Sequence, residues 1–385
     1  MDSSVRIGTL ELANPIIIAS GPPGINGAAI KRMALGGPGA IVTKSIGIRP
    51  SPGQRMSLSY WAPNKKSLVL TDLWSTYSIE DWCGREIGIA REGGVPVIAS
   101  LQAVTNTPAE DTFQMAGMVV DAGADAIELS AFGASPNAIT GSGIGAVQDP
   151  RRTFQIVRAA RAAVKVPIIA KLSPEPSNLL SLIEACEAGG ADAIASRDSI
   201  FPAIAFDIHT RRPKVARTFG TWMPEVAGRA IHENAVGYVL EIFKRSRLPI
   251  IGIGGVMIWE DAVEMIIAGA TAVGICTAPM IEGPQGVHKM VAGLTRYLKE
   301  QHVTLEELRG SGLEGLCQVN AMAEQPLHVL VDRATCNGCG LCVPVCPVQA
   351  ISQSDDSVQI SDELCIACAF CVHHCAREAL SLAAA

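Results

Sequence analysis

Short apolar runs alternate with amphipathic stretches through the first 300 residues. Eight of these runs are β-rich and apolar throughout, as expected for strands buried on both faces of a parallel array. Several of the stretches between them end in a glycine just before the next run, as in AGADAI and AGATAV, which is typical of helix C-termini. Eight successive strand–helix units predict a (β/α)8 TIM barrel, with a doubly wound sheet as the alternative. The runs are PIIIAS (15–20), AIVTKS (40–45), PVIASLQ (96–102), AIELSA (126–131), PIIAKLS (167–173), AIASRD (193–198), PIIGIGG (249–255) and AVGICTA (272–278).

The pattern changes after residue 300, and this change predicts the domain organisation. Residues 1–300 form the barrel, and residues 301–331, which contain the polar stretch TLEELRGSG, link it to a small domain at 332–385. The small domain is predicted to be a ferredoxin-like α+β fold, because its cysteines have the spacing described below.

Polar residues close the apolar runs. In a TIM barrel these positions converge on one mouth at the carboxyl ends of the strands, where active sites of this fold lie. Each alone is more simply a strand-end cap or a turn residue, but together they predict a site. They are Ser20, Gly21, Lys44, Ser45, Gln102, Ser130, Lys171, Asp198, Gly254, Gly255, Cys276 and Thr277.

Two features of the predicted mouth are more specific. Glycines 252, 254 and 255 after the seventh run, with Cys276 and Thr277 after the eighth, match the usual phosphate site of this fold, where backbone N–H groups approach the anion. Lys44 and Lys171 suggest a bound anion or an electron-rich ring. The stretch GSGIGA (141–146) resembles a dinucleotide loop, but it follows a long loop rather than a strand, so we do not interpret it as one.

The cysteines are concentrated in two matching runs. The first is C-x2-C-x2-C-x3-C-P, and the same cysteine spacing recurs 29 residues later without the proline. In two-cluster ferredoxins the fourth cysteine of each run ligates the other cluster. This spacing predicts two [4Fe–4S] clusters, one held by Cys336, Cys339, Cys342 and Cys375, the other by Cys365, Cys368, Cys371 and Cys346.

Two alternatives to the clusters are weaker. Zinc sites usually pair two C-x2-C knuckles over a longer gap and often recruit histidine. Disulfides would require an oxidising compartment, whereas the N-terminus lacks the layout of a secretory signal and predicts a cytoplasmic protein. The other four cysteines, Cys83, Cys186, Cys276 and Cys317, are scattered singly and are expected to pack as small apolar residues.

Composition excludes some functional classes. The chain has 385 residues, of which 48% are hydrophobic, so it can bury a large core. Its 31 basic and 37 acidic residues give a net charge of −6, which argues against a general nucleic-acid binder. No apolar run is long enough to predict a membrane span.

The sequence resembles the flavin barrel of dihydroorotate and dihydropyrimidine dehydrogenases, through ANPIIIASGP, AIVTKSI, PVIASLQ, GADAIEL, VPIIAKLSP and the IGIGG and GICTA segments. With the cysteine runs, it is most similar to the FMN- and iron–sulfur-containing catalytic subunit of bacterial NAD-dependent dihydropyrimidine dehydrogenase. The resemblance implies an oxidoreductase that acts on a CH–CH bond, with FMN in the mouth and electrons relayed through the clusters.

The resemblance also implies site residues. Ala19, Ser20 and Gly21 would line the isoalloxazine, with Ser45 beside them, and Lys44 would sit near its reactive edge. Asn106 and Lys171 would contact flavin or substrate. The ribityl phosphate would be surrounded by Gly228, Gly254, Gly255, Cys276 and Thr277.

The substrate-reading segments depart from the family pattern. Family members carry Asn-Leu-Ser-Cys-Pro, or a serine version, after the fourth strand, where this chain has SAFGASP (130–136). Ser130 then takes the asparagine's place and Ser135 that of the proton donor, and Asp198-Ser199 replaces Asn-Thr after the sixth strand. We therefore expect a small conjugated or ring substrate other than an ordinary pyrimidine, with Ser135, then Asp198, then His209 as candidate proton donors.

A charged segment follows the sixth strand. We expect a solvated face, or alternatively a grip on an anionic substrate. Its charged residues are Asp207, His209, Arg211, Arg212, Lys214 and Arg217.

The chain carries no nicotinamide or FAD dinucleotide fingerprint. We therefore expect a separate electron donor, either an FAD-containing, NAD(P)H-oxidising subunit or free ferredoxin, and a homodimer within a heteromer. Two other functions stay open: dihydropyrimidine dehydrogenase proper, and a non-catalytic electron-transfer subunit of a larger reductase.

Overall fold

The computed structural model describes residues 3–51, 58–64, 66–129, 149–172, 178–196, 199–200, 202–215, 224–322 and 327–384. These residues form two compact units, 1–312 and 313–385, which are considered separately. None of the helices in the described ranges is both long and apolar enough to cross a lipid bilayer.

Eight parallel strands close into a barrel in the first unit. The ring closes because the second strand of the barrel pairs with both the first and the third, which confirms the predicted TIM barrel and excludes the doubly wound sheet. In chain order the barrel strands are β3 (Ile16–Ile18), β4 (Ala40–Val42), β8 (Val97–Gln102), β9 (Ala126–Leu129), β10 (Ile168–Lys171), β11 (Ala193–Ala195), β13 (Ile250–Ile253) and β14 (Ala272–Ile275).

Helices cover the outside of the barrel. Their buried faces form one large apolar cluster with the outward-facing strand residues, such as Ile16, Ile41 and Ile127. The helices of this unit are α1 (Gly27–Ala34), α2 (Ile79–Asp81), α3 (Ile87–Arg91), α4 (Pro108–Asp121), α5 (Pro150–Ala163), α6 (Leu179–Gly189), α7 (His232–Phe243), α8 (Trp259–Ile267), α9 (Thr277–Glu282), α10 (Pro284–Gln301) and α11 (Leu305–Leu308), with 3-10 turns at Pro22–Gly24 and Arg229–Ile231 and a π-helical turn at Trp82–Glu86.

A second apolar cluster fills the barrel interior. It is built from alternate strand residues, such as Ile17, Ala40 and Ile251, together with Ile7 and Leu12 of an N-terminal hairpin. This hairpin, β1 (Val5–Ile7) with β2 (Leu10–Leu12), lies at the amino-terminal end of the barrel, where a side chain at Gly8 would touch Asp192 and Pro167. Because apolar side chains fill the base, polar chemistry is confined to the carboxyl end.

A small antiparallel sheet that the sequence pattern did not predict lies at the carboxyl end. It consists of β6 (Leu58–Asn64), β7 (Ser67–Asp72) and β12 (Glu225–Gly228), with β7 in the middle. The first two strands follow the second barrel strand, together with the short β5 (Ile46–Gly47), whereas β12 follows the sixth. Pairing between segments so distant in sequence leaves no local pattern by which to predict it.

The second unit begins within the predicted linker. The range 301–331 contains α11, α12 (Ser311–Met322) and β15 (Leu327–Val331). The small cysteine-containing fold is then completed by β16 (Ile351–Gln353), β17 (Val358–Ile360), α13 (Phe370–His374) and β18 (Leu380–Ala384). Two antiparallel pairs, β15 with β18 and β16 with β17, enclose a core that includes Cys342 and Cys371.

The internal repeat of the second unit extends to its backbone conformation. Gly338 and Gly340 have φ of 68° and 72°, and the residues 29 positions later, Ala367 and Ala369, have φ of 52° and 63°. The left-handed region costs a residue with a Cβ roughly 1–2 kcal/mol. The second cysteine loop therefore carries backbone strain that the first loop avoids with glycine.

We expect Ala369→Gly to stabilise the second unit by about 1 kcal/mol, because glycine adopts positive φ without this cost. Gly340→Ala should destabilise it by at least as much, since the added Cβ would also lie 2.5 Å from Gln353 Oε1. Hydrogen-exchange mass spectrometry of peptides from 327–384 measures both effects. Ala334→Gly, at an exposed position outside the left-handed region, is the matched control and should bring no gain.

Candidate active site

The mouth of the barrel contains two lysines on inward-facing positions. Lys171 is the last residue of β10, and Lys44 lies two residues beyond the end of β4. Both continue the alternation that points Val42 and Ile169 into the barrel interior. Both are almost fully buried, at 5% and 7% exposed for Lys44 and Lys171. Two ammonium groups at this depth require counter-charges, because burying an uncompensated charge is costly.

Asp72 supplies the counter-charge for Lys44. Its Oδ2 lies 2.6 Å from Lys44 Nζ, and the two side chains are 13% and 7% exposed. Asp72 is the last residue of β7 and is paired with Leu58 of β6. The small antiparallel sheet thus brings an acidic side chain to the mouth from a segment that is not part of the barrel.

Glu128 faces Lys171 from the neighbouring strand β9. Its carboxylate is 1% exposed and lies 3.9 Å from Lys171 Nζ. Ser100 Oγ donates to the same carboxylate at 3.0 Å. The hydroxyls of Ser100 and Ser45 are 3.2 Å apart, and those of Ser45 and Ser20 are 3.3 Å apart. A continuous line of hydroxyls therefore runs across the mouth from the first strand to the buried acid.

The glycines predicted to surround a phosphate have conformations that require glycine. Gly228, Gly254 and Gly255 have φ of 81°, 125° and 70°. A Cβ at Gly228 would lie 2.3 Å from the Lys66 carbonyl oxygen. A Cβ at Gly21, on the opposite side of β14, would lie 2.5 Å from Cys276 Sγ. The chain is packed so closely here that only backbone groups can face the cavity.

His232 lies directly beneath the Gly254–Gly255 turn. Its ring is fully buried, with Nδ1 at 3.3 Å from the Gly254 carbonyl oxygen and Nε2 at 2.7 Å from Glu264 Oε2. A Cβ at Gly255 would lie 2.6 Å from the backbone of His232. Both ring partners are acceptors, so the two hydrogen bonds form together only when each nitrogen carries a proton. The histidine therefore fixes the turn from below.

His232, Asp261 and Glu264 place three potential metal-ligand atoms close together. The 2.7 Å separation of His232 Nε2 and Glu264 Oε2 is that of a direct hydrogen bond and leaves no room for an ion between them. Asp261 accepts the backbone N–H groups of Met257 and Ile258 at the start of α8. The group is thus a structural brace.

The remaining predicted site residues lie in three kinds of position. Ala19 is buried and its N–H donates to the Ile275 carbonyl. Ser199 is buried and donates to Glu225 Oε2 at 2.7 Å, whereas Asn106 is exposed in the loop after β8. Thr277 begins α9 and is buried. Ser130, Ser135 and Asp198 lie outside the described residues, as does Arg217 of the charged segment.

The described part of the charged segment forms a tight exposed turn. His209, Arg211, Arg212 and Lys214 are all exposed. Asp207 accepts hydrogen bonds from the backbone of Thr210 and His209 and from the Thr210 hydroxyl, and these bonds, with that from the Thr210 backbone the largest cause, lower the pKa of its carboxyl. The geometry is that of a solvated loop, in agreement with the first of the two expectations.

Three residues that shape the mouth had no place among the sequence predictions. Glu128 and Ser100 could have been found as lone polar residues at inward-facing positions of otherwise apolar strands. Asp72 had no such signal, because its position beside Lys44 depends on the unpredicted sheet.

Two cavities in the second unit are each lined by four cysteines. One is lined by Cys336, Cys339, Cys342 and Cys375, and the other by Cys346, Cys365, Cys368 and Cys371. Backbone N–H groups donate to several sulfurs, as from Ala350 to Cys346 Sγ at 3.2 Å and from Ala379 to Cys375 Sγ at 3.3 Å. A backbone hydrogen bond from Gly338 is the main cause that lowers the pKa of Cys336. These features suit thiolate ligands.

The scattered thiols Cys83 and Cys186 have a different character. Burial raises the pKa of Cys186 to about 12 and, with help from Glu80, that of Cys83 to about 11. Neither thiol is poised as a nucleophile or a ligand.

We expect His232→Leu to lower the free energy of unfolding by about 1–3 kcal/mol, because the Gly254 carbonyl and Glu264 lose their donor. Urea unfolding followed by circular dichroism measures the change. Glu264→Gln is the matched control: it keeps an acceptor oxygen on a side chain that is 59% exposed, so it should change stability by about 0.5 kcal/mol or less. Equal stability of His232→Leu and the native protein would show that the histidine does not brace the turn.

Comparison with known proteins agrees with this arrangement. Residues 83–298 match the family model for dihydroorotate dehydrogenase, and residues 329–352, which contain the first cysteine run, match that for a 4Fe-4S binding domain. The chain is 35% identical to the catalytic subunit of dihydroorotate dehydrogenase B (NAD(+)) of Methanothermobacter thermautotrophicus, over 79% of this chain and 96% of that one. It is 35% identical to the catalytic subunit of the same name from Methanocella arvoryzae, over 80% and 97%. For the subunit of that name from Methanocaldococcus jannaschii the identity is 30%, over 79% and 96%. The chain therefore belongs to the dihydroorotate dehydrogenase family and is a flavoprotein oxidoreductase that carries a 4Fe-4S binding domain after its TIM barrel.

Proposed function

We propose that this chain is an FMN- and iron–sulfur-dependent oxidoreductase that acts on a CH–CH bond of a small conjugated or ring substrate. Electrons would pass between FMN in the barrel mouth and two [4Fe–4S] clusters in the second unit. The observation that carries the proposal is the combination of a charged, glycine-lined mouth on an otherwise apolar barrel with two cavities of four cysteines each.

The mouth has features that fit FMN. Gly228, Gly254 and Gly255 leave a space that a Cβ would fill, as a closely approached phosphate requires. A buried guanidinium nitrogen, Nη1 of Arg229, has no hydrogen-bond partner among the described residues and follows Gly228 directly in the chain. Thr277 adds a hydroxyl on the neighbouring strand–helix connection. We propose that these residues, with Cys276, hold the phosphate.

When bound, FMN exchanges hydride equivalents with a substrate and single electrons with iron–sulfur clusters. The chain's own residues would bind, orient and supply charge. Lys44 and Lys171 offer donors to flavin or substrate, and Asp72 and Glu128 keep both lysines in place. Ser20, Ser45, Ala19 and Gly21 would border the ring, and Asn106, Ser130 and Ser199 would contact the substrate. Ser135 remains our first candidate for the proton donor, with Asp198 second.

The cavities of the second unit support two clusters. Each contains three cysteines from one run and the fourth cysteine from the other. This is the ligand exchange expected for two-cluster ferredoxins. The relatives' designation as catalytic subunits supports a separate electron-donating partner, for which we propose an FAD-containing, NAD(P)H-oxidising subunit rather than free ferredoxin, with the chain forming a homodimer within the heteromer.

A second candidate is oxidation of dihydroorotate, which the names of the relatives favour. It differs from the first proposal only in the substrate. Dihydroorotate is a ring that bears a carboxylate, so the two candidates separate on the charge that the mouth accepts.

We expect anaerobically purified protein to contain about one FMN, eight iron atoms and eight acid-labile sulfides per chain, the content of two [4Fe–4S] clusters. Acid extraction with flavin chromatography and iron and sulfide assays measure this content. Cys342→Ser should lower iron to about four atoms, because one cluster loses a ligand. Cys83→Ser, at a half-buried barrel thiol, is the control and should leave iron unchanged. A native protein that releases no FMN would contradict the proposal.

We expect small conjugated ring or enoyl compounds to reoxidise the photoreduced protein in anaerobic stopped-flow experiments. Flavin absorbance then recovers at a rate that depends on substrate concentration. Lys44→Met should slow this recovery at least about tenfold, because a charged donor to flavin or substrate is lost. Recovery with a partner protein but with no small molecule would instead identify a non-catalytic electron-transfer subunit.

A further inference from the structure

We infer that Asp72 makes the barrel mouth select against substrates that carry a carboxylate, so that the substrate is uncharged where it faces Lys44. This inference rests on the proposed function, because it assigns the substrate class of the same site. It begins from the ion pair between Lys44 and Asp72, in which Nζ and Oδ2 are 2.6 Å apart.

Lys44 is the cation through which the mouth would attract an anion. Its ammonium group is already paired with an acid of the chain, and both side chains are buried. A substrate carboxylate at Lys44 would come within a few ångströms of the Asp72 carboxylate. Like charges that close in a partly dry site repel each other strongly, which is a common way to reject a wrong ligand.

Asp72 cannot easily turn away to make room. It ends the central strand of the small sheet, where Asp72 pairs with Leu58 on one side and Leu70 pairs with Glu225 on the other. Its side chain is 13% exposed, so moving the carboxylate to water would require the strand itself to move. The acid is therefore a fixed part of the mouth.

The other described charges at the mouth do not restore a positive field. Lys171 is opposed by Glu128 at 3.9 Å, and Glu128 is the more deeply buried partner. Glu225 adds a further acid, which accepts from Ser199. Arg229 forms an ion pair with Glu233. Among the described residues, each cation here thus has an acid of its own, and Glu225 is in excess.

The test uses matched ligand pairs that differ by one carboxylate: orotate with uracil, and benzoate with benzamide. Isothermal titration calorimetry of the FMN-loaded, full-length protein gives the dissociation constants. We expect the native protein to bind each anion at least about tenfold more weakly than its neutral counterpart. Asp72→Asn, which has the same shape without the charge, should tighten the anions at least about tenfold and change the neutral ligands less than about twofold.

Two further variants define the interpretation. Glu92→Gln removes the acid from the exposed ion pair that Glu92 forms with Lys31, also at 2.6 Å, and should leave all four constants unchanged. The double variant Lys44→Met with Asp72→Leu removes the pair as a unit, which avoids an unpaired buried lysine if Asp72→Asn folds poorly. It should lose the preference for the neutral ligands.

The inference is overturned if the native protein binds the anions as tightly as their neutral counterparts, or if both Asp72 variants keep the native constants for the anions. A native protein without FMN would overturn the proposed function, and this inference with it. FMN-loaded protein that is reoxidised by small substrates, but whose anion binding does not respond to Asp72, would overturn this inference alone.

Discussion

The burial of charge at the carboxyl end of the barrel is the constraint on which the rest of this molecule depends. Apolar side chains fill the barrel base, so Lys44 and Lys171 meet no water from below. A lysine at this depth stays charged only beside an acid, and the chain supplies Asp72 and Glu128. The small antiparallel sheet then has a definite purpose, since it carries one of these acids.

The two ends of the mouth are stabilised in different ways. At the lysines, charge is balanced by charge and by a line of serine hydroxyls. At the glycine turn, close packing replaces charge: Gly255 rests on His232, and His232 is held by Glu264. The first end is suited to discriminate between ligands by their charge. The second can fix the position of a phosphate, because its backbone cannot relax without displacing a fully buried ring.

The second unit shows how much backbone strain a repeated loop can tolerate. Glycine relieves the left-handed positions in the first cysteine loop, whereas alanine occupies them in the second. Gln349 and Glu378, again 29 residues apart, repeat the same feature with φ of 53° and 55°. Side chains persist in such a conformation where the surroundings over-determine it. Four cysteines that converge on one cavity, as here, provide such surroundings.

The sequence by itself determined the barrel, its eight strands and the glycines of the mouth. These features follow from local periodicity, from glycine before each strand and from fixed spacing, all of which are properties of neighbouring residues. The cysteine repeat is equally local, and it predicted the sets of cysteines that line the two cavities, although the number of clusters remains a proposal. Family resemblance added the roles expected of Lys44 and Lys171.

Only the tertiary structure decided what surrounds those lysines. Asp72 comes to Lys44 through a sheet that joins the segment after the second barrel strand to one after the sixth. Glu128 comes to Lys171 through the register of two parallel strands. Neither contact follows from a local pattern, because each depends on strands that are distant in the chain and adjacent only in the closed barrel and its covering sheet.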